Sequence, residues 1–113
     1  MAISEYRTGS ATISTTEYSL VNASTTLASD TTDGVFQIYI AIDGLTGDDL
    51  YEFDVKEKIR TSDIQQSVFV GTINAGNSFM TLPTMIFLHG WDVTVTKLAG
   101  TDRTVRWSIR QVA

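Results

Sequence analysis

The chain has 113 residues and a formal net charge of -5, and it contains no cysteine. An acidic surface repels phosphate, which argues against nucleic acid as a partner. The absence of thiols excludes disulfide bonds and thiolate metal sites. Hydrophobic residues make up 42% of the chain and charged residues 19%, which is the balance of a globular protein. We therefore expect one folded domain over residues 1–113.

The first seven residues contain no apolar run, so no signal peptide is expected there. No stretch of the chain approaches the roughly 20 apolar residues that a membrane span requires. The sequence therefore predicts synthesis in a cytoplasm and no membrane partner.

Residues 1–33 are rich in serine and threonine and carry few apolar residues. Short strands are predicted near 11–14 and 17–21, and edge strands are the favoured interpretation of 11–33. Two alternatives stay open for residues 1–10. They either join the same sheet edge or form an extended arm that packs on another subunit.

Strand periodicity dominates after residue 34, because apolar and polar side chains alternate. The alternating apolar sets are Phe36, Ile38, Ile40 and Ile42; Tyr51, Phe53 and Val55; Trp91, Val93 and Val95; and Val105, Trp107 and Ile109. No comparably long segment follows the helical period. Strands are therefore predicted near 35–43, 50–60, 64–73, 79–88, 91–98 and 104–112.

Clusters of Gly, Asn, Asp and Ser separate these strands, as turns require. The single proline, Pro83, lies inside the run 79–88 and cannot donate a ladder hydrogen bond. That run is therefore predicted to be an edge strand or to be broken at the proline. About eight short strands at this spacing predict an all-β fold, a two-sheet antiparallel β-sandwich that is jelly-roll-like.

Catalytic chemistry is sparse in this sequence. The single histidine, His89, could pair locally with Asp92, but one histidine builds neither a triad nor a zinc site. No G-x-S-x-G elbow, phosphate loop or dinucleotide fingerprint occurs. We therefore expect His89 to occupy a turn and the protein not to be an enzyme.

Clustered acidic residues are the other candidates for a catalytic or metal-binding role. Asp43, Asp48, Asp49 and Glu52 lie close together, but their spacing is not that of a calcium loop, and turn carboxylates ordinarily face water. Glu52 and Asp54 could form a glycosidase pair, yet they share a polar strand face with lysines. The prediction is a solvated face, with no catalytic, cofactor-binding or metal-binding residue and no cofactor.

The aromatic and basic residues have simple interpretations. Tyr51, Trp91 and Trp107 fall on apolar strand faces and are expected in the core, whereas Tyr39 points the opposite way and could contact a partner. Two basic trios are each expected to lie on one solvated strand face. They are Lys56, Lys58 and Arg60, and Arg103, Arg106 and Arg110.

The C-terminal half resembles small virion structural proteins of tailed phages. The segments that carry the resemblance are HGWDVTV at 89–95, KLAGTDR at 97–103, WSIR at 107–110 and DDLYEF at 48–53. The resemblance covers residues 34–113, and residues 1–33 match nothing in it. It implies a capsid decoration (cement) protein, a β-sandwich that binds the outside of a phage head and reinforces contacts between major capsid subunits.

The resemblance also implies partners and a location. The partners would be the major capsid protein or other virion subunits, in a homo-oligomer, and the location would be the virion after synthesis in the host cytoplasm. Two alternative functions stay open. One is a carbohydrate-binding (receptor-binding) jelly-roll module, which requires exposed aromatic residues in a cleft. The other is a structural subunit of the tail or neck.

Overall fold

A computed structural model describes residues 2–112, which form nine strands and no helix. The strands are β1 (Ile3–Ile13), β2 (Tyr18–Ser19), β3 (Gly34–Ile42), β4 (Leu50–Lys58), β5 (Gln65–Asn74), β6 (Phe79–Thr81), β7 (Met85–Phe87), β8 (Trp91–Ala99) and β9 (Arg103–Val112). Within this described part of the chain, no helix is long and apolar enough to cross a membrane.

The strands form two antiparallel sheets. The first has the order β1-β9-β3, followed by β6 and β7, which both pair with β3. The second, four-stranded sheet has the order β2-β8-β4-β5. The chain crosses between the sheets after β1, β2, β3, β5, β7 and β8, which is the winding of a jelly roll. The predicted all-β, two-sheet antiparallel sandwich is confirmed.

The strand count differs from the prediction at one point. The run 79–88 is divided into β6 and β7, which flank Pro83 and pair with successive parts of β3. The break follows from the missing N–H of proline. Both predicted properties of this run therefore occur together, since the two pieces form the edge of the first sheet and the edge is interrupted at Pro83.

The core lies between the sheets and contains the predicted alternating sets. The buried faces of β3, β4, β8 and β9 are 0 to 4% exposed, and they meet across the sandwich. Cross-strand register aligns apolar neighbours, such as Ile38 with Ile109 in one sheet and Phe53 with Val95 in the other. Each such side chain contributes about 1.5–3 kcal/mol when fully buried, so these faces hold the two sheets together.

An aromatic cluster closes one end of the core. The Trp91 ring stacks on Phe87 at 4.4 Å between centroids and lies 4.8 Å from Phe36. Tyr6 packs edge-on against Phe36 at 5.5 Å. The indole N–H of Trp91 donates to the carbonyl oxygen of Thr32 at 2.8 Å. The cluster thus fixes the start of β1 and the segment before β3 to the core.

Hydrogen bonds to Asp49 organise the other end. Its carboxylate accepts hydrogen bonds from the backbone N–H groups of Thr101 at 2.8 Å and Thr46 at 2.9 Å. It also accepts a hydrogen bond from the Nε of Arg103 at 2.9 Å. The bond from Thr101, with those from Thr46 and Arg103, lowers the pKa of Asp49 from 3.8 to about 2. The turn that precedes β4 is thereby joined to the β8–β9 hairpin, where Gly100 adopts a φ of 90°.

The N-terminal segment supplies two sheet edges. Strand β1 pairs with β9 from Ile3 to Ile13, with an irregularity between Glu5 and Arg7. Strand β2 pairs with β8 through only two residues. The pairing of β1 therefore begins well before the predicted start near residue 11. Contact of residues 1–10 with another subunit stays a prediction, and Met1 lies outside the described residues.

Candidate interaction surface

The structure does not bring His89 and Asp92 together as a pair. The Nδ1 of His89 lies 3.3 Å from the Oγ1 of Thr61, in the turn region where it was predicted. Asp92 is fully buried, and its carboxylate accepts bonds from the Ser19 hydroxyl at 2.7 Å and the Ala28 N–H at 2.9 Å. Burial raises the pKa of Asp92 above 3.8, while these bonds oppose the rise. Asp92 therefore anchors the segment after β2 to β8.

The predicted solvent exposure of the turn carboxylates is wrong for Asp49, which is 2% exposed because of the bonds described above. Asp43 behaves as predicted, since it is exposed and pairs with Arg106 at 3.0 Å. Among residues 2–112, no group of three or more His, Asp or Glu side chains is placed to hold a metal ion.

The two basic trios do not each share one face. Arg103 follows the inward alternation of β9 and pairs with Asp49, whereas Arg106 and Arg110 lie on the outer face. Arg60 lies beyond the end of β4 and pairs with Asp63 across the following turn at 3.0 Å. The first trio is divided because β4 ends before Arg60. The second is divided because residues 103 and 106 are an odd number of positions apart, and side chains of a strand alternate between its two faces.

The aromatic residues lie where the alternation predicted. Tyr51 and Trp91 are 0% exposed and Trp107 is 4% exposed. Tyr39 lies on the outer face of the first sheet, where the Arg110 guanidinium covers its ring at 4.0 Å. Tyr39, Phe79 and both arginines of that face line a shallow groove of about 430 Å³. In this groove the exposed Phe79 ring lies beside the half-buried Tyr39.

Exposed apolar side chains are concentrated on a surface that we name the apolar side, which includes Phe79 of this groove. Among residues 2–112, eleven large hydrophobic residues are exposed, and eight of them lie between residues 59 and 88. These eight define the apolar side: Ile59, Ile64, Val68, Phe69, Val70, Phe79, Ile86 and Leu88. Soluble monomers rarely gather so many large apolar groups in one region, and such regions mark interaction sites.

The topology places these residues along one flank of the sandwich. Strand β5 is the edge of the second sheet, and β6 and β7 are the edge of the first. The four residues 75–78 join β5 to β6 at one end. Near the other end, the Gln65 amide donates to the carbonyl of Gly90 at 3.1 Å, and Glu57 accepts the N–H of Leu88. Both edges therefore run along the same flank.

The segment that supplies seven of the eight residues of the apolar side is also free of charge. The 25 residues from Ile64 to Leu88 contain no Asp, Glu, Lys, Arg or His, although the whole chain has 21 acidic and basic residues. This lack of charged residues is the sequence feature that indicates the surface, and the alternation of apolar and polar residues does not reveal it. Depletion of charge with enrichment of Phe and Met is typical of the buried centre of protein interfaces.

Comparisons with known proteins give the fold a context. No model of a known protein family matches the chain, and no curated protein matches its sequence. Among solved structures, a chain of the acidic stable capsid structure of Helicobacter pylori bacteriophage KHP30 aligns with a TM-score of 0.57 and 12% identity. The alignment covers 98% of this chain and 92% of that chain. At this identity the likeness shows a shared fold.

A second solved structure is the Eiger TNF from S. frugiperda, with a TM-score of 0.49 and 14% identity. That alignment covers 79% of this chain and 66% of the Eiger chain.

Proposed function

We propose that the protein is a structural subunit of a phage virion, of the decoration or cement type, which binds the outer surface of the head. The observation that carries the proposal is the match in fold to a chain of a phage capsid structure, which extends over 98% of this chain. The residue pattern of 34–113, which resembles that of small virion proteins, agrees with this role.

The surface of the molecule suits an assembly role. Seven of the eight residues of the apolar side lie in the uncharged segment 64–88, and burying them against another subunit would release ordered water. A stable contact requires on the order of 1,000 Å² of total buried surface. Modest contacts become effective when many copies occupy one lattice and each touches several neighbours. Such a subunit strengthens a shell without performing a reaction.

Cosedimentation with capsids tests this function. The purified protein is mixed with bare capsids of the phage whose genome carries the gene, and with capsids that are already saturated with it. We expect it to pellet with the bare capsids and to raise the temperature at which they disrupt. Recovery of all the folded protein in the supernatant of the bare capsids would refute a decoration role.

A tail or neck subunit is the alternative closest to this proposal. Electron micrographs of particles labelled through the protein distinguish the two. Label spread over the head supports decoration, whereas label confined to a ring at the head–tail junction or along the tail supports the alternative.

Carbohydrate binding is favoured by one specific feature, the groove beside Tyr39 and Phe79. Stacking on a sugar requires a free aromatic face, and Arg110 already covers one face of Tyr39. We therefore place this function second. A glycan array tests it, with Phe79→Ala as the variant that removes the exposed ring; the absence of any bound glycan would eliminate it.

A further inference from the structure

We propose that β5 is a dimerisation edge, which pairs antiparallel with β5 of a second copy of this chain across a two-fold axis. The pairing would extend the four-stranded sheet into a continuous eight-stranded sheet. The proposal deepens the proposed function, on which it rests for its biological setting, by naming the contact and the partner.

The first argument concerns the sheet edges. Unprotected edge strands present free N–H and C=O groups to other chains, and native proteins blunt them with short strands, proline, charge or bulges. Strand β2 has two residues, β6 and β7 are interrupted by Pro83, and β1 carries Glu5 and Arg7. Strand β5 has ten residues and neither proline nor charge, and its one protection is the register irregularity opposite Val55 and Lys56. Of the edges of the two described sheets, it is therefore the longest one without charge or proline.

The second argument concerns burial within β5. Five consecutive residues, 66–70, are exposed, so side chains on both faces of the strand reach solvent. A register irregularity opposite Val55 and Lys56 accompanies this exposure. An ordinary edge strand buries one of its two faces. Phe69 is 37% exposed although its ring contacts Phe53 at 5.5 Å. A second β5 would cover such half-buried side chains.

The third argument concerns charge and selects the partner. In a two-fold contact, any charged residue near the axis meets its own copy, and like charges directly opposed destabilise a strand pair. Two copies of a chain of net charge -5 repel each other over most of their surfaces. The segment 64–88 carries no charge, so the two copies can approach there with the least repulsion. A foreign basic partner would instead be attracted to the acidic surfaces.

The fourth argument concerns size. At about 3.3 Å per residue, the ten residues of β5 span about 33 Å. The shortest extent of the molecule is 20 Å, so the flank has a planar area of about 660 Å². Counted on both copies, a contact over the whole flank would bury about 1,300 Å², which lies in the range of about 1,200–2,000 Å² that specific interfaces bury in total.

Sedimentation equilibrium of the purified protein, without capsids, tests the dimer. We expect a species of about twice the chain mass of 12.4 kDa. Val68→Lys places two ammonium groups near the axis and should weaken dimerisation on the order of 100-fold. Ile3→Lys is the matched control, because Ile3 is an exposed apolar residue on β1, an edge strand of the other sheet. It should dimerise like the unmodified chain.

Gln66→Lys is the second charged variant, since it adds the charge without removing an apolar side chain and keeps the test valid if Val68→Lys does not fold. Circular dichroism confirms the fold of each variant. A protein that is monomeric at millimolar concentration would overturn the proposal. So would dimerisation that both lysine variants in β5 leave unchanged, or that Ile3→Lys weakens as strongly.

Disulfide trapping tests the antiparallel geometry. The chain has no cysteine, so a cysteine placed at one position at a time from residue 66 to residue 72 introduces a single thiol. In an antiparallel pair about a two-fold axis, only the residue on the axis lies opposite its own copy, about 4.5–5.5 Å away between Cα atoms and within disulfide reach. We expect one or more of these variants to form a covalent dimer more than about tenfold faster than Ile3→Cys. Rates for all of them no higher than that of Ile3→Cys would overturn the β5–β5 pairing.

The dimer and the virion function can fail separately. A dimer that does not bind capsids would refute the proposed function and keep the inference. Capsid binding by a protein that stays monomeric in solution and on the shell would support the proposed function and refute the β5–β5 dimer.

Discussion

The glycine in the middle of β5 offers a sharp test of the packing. Gly71 lies opposite Phe53 in the β4–β5 pair, and a Cβ atom added there would lie 2.5 Å from the Cζ of the Phe53 ring. Ordinary contact begins at 3.4 Å, so the ring would have to move by about 0.9 Å. Phe53 is 2% exposed and has little room to move. Gly71→Ala should therefore overpack the core.

Two effects of opposite sign decide the size of this change. Overpacking costs about 1–3 kcal/mol, whereas replacing glycine by alanine in an accommodating site stabilises by about 0.4–1 kcal/mol through the unfolded state. The expected net loss is about 1–2 kcal/mol, which lowers the Tm by about 4–8 °C for a domain of this size. Differential scanning calorimetry or denaturation in urea measures it.

Gly47→Ala is the matched control, because no atom lies within 4 Å of its added Cβ. It should leave the Tm unchanged or raise it. Adding Phe53→Leu to Gly71→Ala should make the pair less destabilising than the sum of the single changes, because the smaller side chain leaves room for the new methyl group. A Tm for Gly71→Ala at or above that of the unmodified protein would refute this description of the core.

Three further predictions concern polar contacts. Asp49 has a folded pKa of about 2, below its ordinary 3.8, so its stabilising contribution is complete above pH 3.8 and is lost as the pH falls toward 2. Asp49→Asn should lower the Tm at neutral pH and flatten its decline over that acidic range in calorimetry, and an unchanged decline would contradict this. Tyr6→Phe removes hydroxyl hydrogen bonds to the Asp30 carboxylate at 2.8 Å and to the Thr32 hydroxyl at 2.7 Å, and should cost about 1 kcal/mol in urea denaturation; no loss would show that these bonds contribute nothing. Arg106→Ala breaks an exposed pair with Asp43 and should change stability by less than about 1 kcal/mol; a larger loss would show an unrecognised role for the arginine.

The sequence predicted the fold where one strand face is buried. In β3, β4 and β9, alternation identified both the strands and the residues that form the core, since burial on one face imposes a period of two. It also identified β8 and its apolar core residues, although residues 91–95 are buried on both faces of that strand. The proline at position 83 predicted the interruption of the edge, because its effect on strand pairing is local. These features can be predicted without knowing which strands pair with each other.

The remaining features depend on tertiary contacts. The first half of β1 has mostly exposed side chains, so its sequence does not show the alternation of apolar and polar residues that predicts a strand. Its pairing with β9 defines it as a strand. Asp49 was expected on a solvated surface and Asp92 was considered only as a partner for His89, but both are buried, because distant segments supply the N–H and hydroxyl groups that bind them. Sequence spacing alone does not identify such partners.

The sequence predicts only part of the candidate interaction surface. The predicted strand 64–73 corresponds closely to β5, but its pattern does not show that residues 66–70 are exposed on both faces. The uncharged stretch from 64 to 88 is visible in the sequence. The division of Arg103 from Arg106 was also visible, because an odd spacing along one strand places two side chains on opposite faces.

We propose that this sandwich is a subunit of a phage virion which makes its contacts through the uncharged segment 64–88. A cryo-electron microscopy reconstruction of intact particles tests this most directly. The account predicts copies of the jelly roll arrayed on the outside of the head, with residues 64–70 buried at a subunit contact. A head surface without this protein, or with β5 of every copy facing solvent, would contradict it.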